Sequence, residues 1–255
     1  MLFVPLATGA TLGTMQGGRV APVILLATVA LFLFCLRTPV ESLWGTSAVR
    51  AQSSDERQYV RRYIVAFATL AALPLSILLL VVRPMPLLVF GGVAALMFAA
   101  QALVRQTDKQ WRIISQMLGA VGLTSTAPAA YYVSAGQLDG SALAIWAANW
   151  LFAGNQIHYV QMRLHSARLT TGREKLQKGR AFLSGQAAML VALVLLWNFG
   201  LLPVFAMIAF LPVFARGVAW FFAPPQPLSV RRLGFTELAH ALAFGVLLVV
   251  FLHFR

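Results

Sequence analysis

Apolar runs about as long as a membrane is thick follow one another along this chain, divided by little more than a Gly, a Pro or a short basic cluster. A helix needs about 20 apolar residues to cross a hydrocarbon core about 30 Å thick. Lipid offers no partners to backbone polar groups, so such runs must become helices that bond internally. Nine candidate spans result, at residues 2–16, 20–37, 63–82, 84–104, 113–135, 141–162, 181–199, 201–222 and 234–254. The first is short and contains Gly9 and Gly13, so a partial span is expected there. Only Arg83-Pro84 divides the third from the fourth, and only Asn198-Phe199-Gly200 the seventh from the eighth, so these pairs should form tight hairpins. The expected architecture is an all-α, polytopic membrane bundle of about nine transmembrane helices, one integral membrane domain over residues 1–255.

Composition agrees. Of 255 residues, 60% are hydrophobic and 11% charged, whereas a soluble domain carries about 25% charged residues. Too few polar groups exist to cover a globular surface. The single cysteine, Cys35, excludes a disulfide framework and a cysteine-based metal cage, and inside an apolar run it reads as a small buried hydrophobe. The N-terminus has no basic n-region and no small-residue cleavage site, which argues against a cleavable signal peptide.

The net charge of +13 would suggest nucleic acid in a soluble protein. Here the basic residues sit in clusters between apolar runs and no nucleic-acid motif accompanies them, so membrane topology explains the excess. Seventeen of the 20 Lys and Arg fall in the connections after the second, fourth, sixth and eighth spans, and Arg19, Arg83 and Arg255 fall on the other side. By the positive-inside rule the N-terminus is expected in the cytoplasm and the C-terminus outside, in a bacterial cytoplasmic (inner) membrane. The longest connections, Thr38 to Arg62 and Arg163 to Arg180, lie four helices apart. Residues 51–58 read as a solvated loop or the start of a surface helix, and Pro224 to Pro227 as extended linker.

Polar groups inside a bilayer are costly and therefore mark candidate sites. The fifth span carries Ser115, Gln116, Thr124, Ser125 and Thr126 with Gly119, Gly122 and Pro128, a pattern that suits either a cavity lining or close packing through small residues. On the sixth span, Asn149, Gln156 and Arg163 form one stripe and Asn155, Tyr159 and Arg163 an adjacent one; His158 and His165 lie nearby. These stripes should face the bundle interior or a water-filled vestibule. Arg37 and Glu41 stand one turn apart, with Trp44 a turn further on, and can form a local ion pair. Glu237 and His240 share a face of the ninth span, where Arg231 or Arg232 could hold Glu237 ionised; an ion pair is the expectation over a proton relay. The four His show no metal-ligand spacing, so no metal and no cofactor are expected.

Leu2-Phe-Val-Pro-Leu6, Arg37-Thr-Pro-Val-Glu41, the stretch from Asn155 to Arg168 and Gly234-Phe-Thr-Glu237 resemble the YwiC-like family of bacterial membrane proteins, over most of the chain. Members carry a His-Gly-Ala-Trp-like stretch ahead of the opening leucines, and this chain begins after that point. The arrangement also resembles the UbiA-type membrane prenyltransferases, which have nine helices, a cytoplasmic N-terminus and active-site loops after the second and sixth spans. In those enzymes aspartate-rich motifs hold magnesium and, through it, a prenyl diphosphate. This chain offers only Glu41 at the first position, and Asn155-Gln-Ile-His-Tyr-Val-Gln-Met-Arg163 at the second, with no aspartate. Magnesium usually takes at least one or two carboxylates, so the metal-assisted reaction is not expected, and whether the chain is an enzyme stays open.

A cationic rim of Arg37, Arg163, Arg168, Arg173, Lys175 and Lys178 could still hold a phosphate directly. The first expectation is therefore a cavity, opening between the second and sixth spans, for an isoprenoid or other membrane lipid whose phosphate meets the arginines at the cytoplasmic mouth. Asn149, Asn155, Gln156, His158 and Tyr159 would add polar contacts, and Gln116, Glu237 and His240 would form a secondary polar site. The alternatives are a small-solute or ion transporter, for which Pro74, Pro128 and Pro212 would supply helix interruptions, and a membrane assembly factor without substrate. Neither the substrate nor the oligomeric state is written in these residues.

Overall fold

A computed structural model describes residues 2–45, 53–107, 111–166, 172–224 and 228–254. Among the described residues there are ten α-helices and one 3-10 helix. They are α1 (Phe3–Met15), α2 (Ala21–Leu43), α3 (Ser54–Val81), α4 (Pro84–Thr107), α5 (Arg112–Thr124), α6 (Thr126–Ala135), α7 (Gly140–His165), α8 (Gly172–Asn198), the 3-10 segment Val204–Phe210, α9 (Leu211–Phe222) and α10 (Val230–His253). Among the described residues, six stretches are long and apolar enough to cross a membrane: α2, α3, α4, α8, α10, and the 3-10 segment joined to α9. Their outward faces display large apolar side chains almost entirely uncovered, Leu80 at 88% and Phe222 at 84% among them. Surfaces of that kind belong against lipid, and the chain is a multi-pass membrane protein.

The sequence runs map onto this set with instructive differences. Helix α7 is too polar to qualify as a lipid-facing span, and it does not need to: half of it is buried by neighbouring helices, including Asn149, Asn155, Gln156 and Gln161. The expected fifth span divides at Ser125 into α5 and α6. Pro128 has no N–H to offer the Thr124 carbonyl four residues back. Around the division, Thr124 Oγ1, Ser125 Oγ and Thr126 Oγ1 donate to the carbonyls of Ala120, Gly122 and Leu123 at 2.7–2.8 Å. Pro212 sits in the first turn of α9, where a missing N–H costs nothing, and the 3-10 segment ends just before it. Pro74 stays within an unbroken α3.

Two connections are shorter than the charge pattern suggested, because helices continue past the apolar runs. Helix α2 runs on to Leu43, and α3 begins at Ser54, where Ser53 and Glu56 form a reciprocal capping box. Helix α8 likewise begins at Gly172 rather than near 181. Pro225 to Pro227 of the expected linker, and residues 51 and 52, lie outside the described residues. Cys35 is half-buried rather than a core residue.

Helix α1 has 13 residues, a length of about 20 Å, and does not span a 30 Å core. It lies parallel to α6, with Gly9 on the backbone of Ala127 and Gly13 on Tyr131 and Ser134. Its other side meets α10, where Val4 and Thr8 approach Gly245. This half-span joins two packed groups. One consists of α2, α3, α4 and α6, around Val23, Leu26, Leu78, Leu87 and Tyr132. The other consists of α7 to α10, around Phe152, Phe210 and Phe244; the Phe152 ring stacks on Phe244 at 4.1 Å and the Phe210 ring meets it edge-on at 5.1 Å. Polar contacts close the end opposite the basic clusters: the Tyr131 hydroxyl lies 2.6 Å from Gln16 Oε1 and 2.9 Å from Asp139 Oδ2, and Tyr132 donates to the Arg83 carbonyl at 3.0 Å.

Candidate functional site

A cavity of about 530 Å³ lies among α2, α3, α4, α5 and α6. Its walls are apolar over most of their extent: Leu26, Val29 and Leu33 from α2, Leu75 and Leu79 from α3, Leu87 and Phe90 from α4. Gly91, Gly92, Gly119 and Gly122 keep the walls thin, and Leu2 joins from the start of α1. On α2 the lining runs from Leu26 to Val40, and on α4 from Leu87 to Gln101. Each is a rise of about 21 Å at 1.5 Å per residue, so the cavity is a slot along the helices rather than a round chamber. Ser125 and Thr126, at the division between α5 and α6, also line it, with hydroxyls already bonded to backbone.

Polarity gathers at one end. Arg37 lines the cavity, and its guanidinium sits 5.8 Å over the Phe98 ring. Arg37 Nε donates to Glu41 Oε1 at 2.8 Å, and Arg105 Nη1 donates to Glu41 Oε2 at 3.1 Å. Two guanidinium groups therefore share one carboxylate, which ties α2 to α4 and leaves this cluster with an excess positive charge. Trp44, more than half exposed, stacks on Phe98 at the same end. Exposed tryptophan marks the membrane–water interface, so the basic cluster sits at headgroup depth.

Arg37 lines this cavity and Arg163 does not. The cavity is lined from α2 to α6, with no contribution from α7, and the α7 residues belong to a second polar centre with α9 and α10. There Arg216 is the hub. Its Nη1 donates to Glu237 Oε2, and its Nη2 to Asn155 Oδ1 at 3.0 Å. Its guanidinium lies 4.0 Å over the Tyr159 ring, and Gln156 Nε2 donates to the Glu237 carbonyl at 2.9 Å. The two charged side chains are only 8% and 10% exposed. Glu237 thus has the ion pair expected of it, but with Arg216 rather than Arg231 or Arg232, which lie on the exposed side of α10. Sequence reasoning had assigned Arg216 to topology alone. The signal was present in its setting, an arginine inside the apolar run Phe214-Ala-Arg-Gly-Val-Ala219.

The other expected site residues divide between structural ties and open positions. Asn149 Nδ2 donates to Thr8 Oγ1 at 3.1 Å and to its own helix at Ile145, fastening α1 to α7. Gln116 Oε1 accepts from Gln161 Nε2 at 3.0 Å, joining α5 to α7. His158 packs on Gly185 of α8. His240 Nδ1 lies 2.7 Å from the Thr236 carbonyl of its own helix. Arg163 is half-buried, with Nε shielded and unpaired. Arg168 lies outside the described residues. Lys175, expected on the cationic rim, is instead 5% exposed and donates to the Trp220 and Ala223 carbonyls, closing the C-terminal end of α9.

Neither a curated protein nor a solved structure gives a match to this chain. The family model for YwiC-like protein matches residues 1–131. That segment runs from α1 into α6 and includes every residue that lines the cavity, whereas the Arg216–Glu237 centre falls beyond it. The match covers half the chain, and on it the protein belongs to the YwiC-like family.

Proposed function

We propose that this protein holds a membrane amphiphile, an isoprenoid or another lipid with a phosphate-type head, its tail in the α2–α6 slot and its head at Arg37. The observation that carries this is the junction of an apolar cavity with a guanidinium pair at one mouth. Its 530 Å³ falls within the roughly 300–1,000 Å³ of ligand sites. Glu41 holds Arg37 and Arg105 in place without neutralising both, and arginine binds phosphate oxygens in a planar, two-pronged geometry. The tail needs only dispersion and release of water, which the leucines of α2 and α4 supply.

Arg37→Ala removes the head contact and leaves the slot intact. A hydrogen bond to a charged group is worth about 1.5–3 kcal/mol, so retention of anionic lipid is expected to fall roughly 10- to 100-fold. Native mass spectrometry of the purified protein reads this directly. Unchanged lipid in Arg37→Ala would sink the proposal. Transport draws less support, because Gln116 and Asn149, the side chains a solute path would use, are committed to bonds between helices.

The charge distribution further supports a bacterial inner-membrane location with the Arg37 and Arg216 end in the cytoplasm. A reporter enzyme active only outside the cytoplasm, fused after Arg255, is expected to be active. Its inactivity, alongside activity of a fusion at Thr46, would reverse this orientation.

A further inference from the structure

The slot has a stopped end as well as a charged mouth, and the distance between them measures its occupant. Leu26 of α2, Leu78 of α3, Leu87 of α4 and Ala129 of α6 are buried and belong to one packed cluster, which closes the end away from Arg37. Arg37 stands 11 residues beyond Leu26 on α2. Phe98, the ring beneath the Arg37 guanidinium, stands 11 residues beyond Leu87 on α4. At about 1.5 Å per residue, both helices give a depth of about 16–17 Å from the charge to the stop. An extended carbon chain advances about 1.25 Å per bond, given bonds of about 1.5 Å and near-tetrahedral angles, so about 13 carbons reach the stop.

Volume sets the width. A methylene takes roughly the room of a water molecule in the liquid, about 30 Å³, so the slot holds about 18 such groups in its 530 Å³. That is one chain of this length together with its phosphate, and a second chain from the same head has no room beside the first. Resting on the amphiphile reading above, we infer that the ligand carries a single apolar chain of about 13 main-chain carbons, its length set by the depth of the slot. A monoalkyl or monoacyl phosphate of tetradecyl size has this form. So does a prenyl phosphate of about three isoprene units, each adding about four main-chain carbons. A diacyl phospholipid or a much longer polyprenyl phosphate leaves most of its hydrocarbon outside.

Gly91 is the point at which the depth can be changed. It falls on the same face of α4 as Leu87, Ala94 and Phe98, and all four line the slot. A Cβ at Gly91 meets nothing within 4 Å, so a larger side chain there enters the slot without striking a neighbouring helix. The new stop lies seven residues from Phe98, a depth of about 10 Å, or about eight carbons.

The test is the enrichment of octyl, tetradecyl and eicosyl phosphate on the full chain over their content in phosphatidylcholine nanodiscs, read by native mass spectrometry. Bilayer hydrocarbon is as apolar as the walls of the slot, so enrichment reports fit rather than hydrophobicity. The unaltered protein is expected to enrich tetradecyl phosphate above the other two, and above dimyristoyl phosphatidic acid. Gly91→Phe should move the maximum to octyl phosphate. Val89→Phe, on the lipid side of α4 at 62% exposed, should leave it at tetradecyl. If Gly91→Phe is not monodisperse, the smaller Gly91→Leu carries the comparison and should lower tetradecyl against octyl. Arg37→Ala should weaken all three alkyl phosphates alike. Enrichment that keeps rising to eicosyl phosphate, a maximum unmoved by substitution at Gly91, or equal enrichment of the two-chain lipid overturns the single-chain assignment and leaves the cavity reading standing. No enrichment of any probe, or enrichment indifferent to Arg37, overturns the two together.

Discussion

Gly9→Val is expected to abolish accumulation of the folded protein. Helix α1 is held by the approach of its backbone to α6, and a Cβ at Gly9 would fall on the Ala127 carbonyl oxygen and within 2.8 Å of its carbon. Those are backbone atoms of a helix buried from Ala127 to Ser134, so no side chain can move aside. Ordinary overpacking costs about 1–3 kcal/mol; here the helices themselves must separate, which also breaks the Asn149–Thr8 bond and uncovers Gly245. Small residues four apart are how membrane helices reach such proximity, and Gly9 and Gly13 have that spacing. Gly234→Ala, on an open face of α10 with nothing within 4 Å, is the matched control. It should be neutral or stabilising by up to about 1 kcal/mol, the helix-propensity difference. Monodispersity after solubilisation distinguishes the two, and a monodisperse, fully expressed Gly9→Val would refute the α1–α6 contact.

The second large effect is expected at Glu237. Removing one partner of a buried ion pair leaves the other charge without compensation, typically at a cost of about 3–5 kcal/mol. Arg216 would keep Asn155 and the Tyr159 ring, so Glu237→Ala should lie within that range rather than above it. Replacing both, as Arg216→Met with Glu237→Leu, removes the desolvation problem and should recover most of the loss. Thermal unfolding in detergent measures the series. If the double variant is no more stable than Glu237→Ala alone, the pair is not the unit of stability described here.

How much of this was legible in the residues follows from which solvent each helix faces. Helices α2, α3, α4, α8 and α10 meet lipid, must be apolar along their length, and so appear as runs. Their continuation past those runs was hidden by charge: residues 54–62 and 172–180 look like loop because water solvates them, although Ser53 and Glu56 stand at the spacing of a capping box. Helix α7 was found as a span, but its polar stripes pointed to a site when several of its side chains serve as ties between helices. Asn149 and Gln161 bond to neighbouring helices in place of lipid-incompatible free amides. The break at Ser125 was foreshadowed by Pro128 and three consecutive hydroxyl residues. Pairing across the bundle was not legible. Linear order placed Arg37 and Arg163 in corresponding loops, and only packing shows that one belongs to the cavity while Glu237 binds Arg216.

The same separation sharpens the functional account. The slot and its basic mouth lie wholly within the segment that carries the family match, while the buried ion pair stabilises the other group of helices. Glu41 has two roles in this arrangement: it joins α2 to α4 and it sets the spacing of the two guanidinium groups at the mouth of the slot.

The most direct measurement of the central claim is an experimental density map of the protein in a native lipid nanodisc. An elongated density is expected between α2 and α4, extending along Leu26 to Leu33 and ending in a head against Arg37. A map in which that slot is closed by side chains, with lipid density confined to the outer faces of α3 and α8, would contradict it.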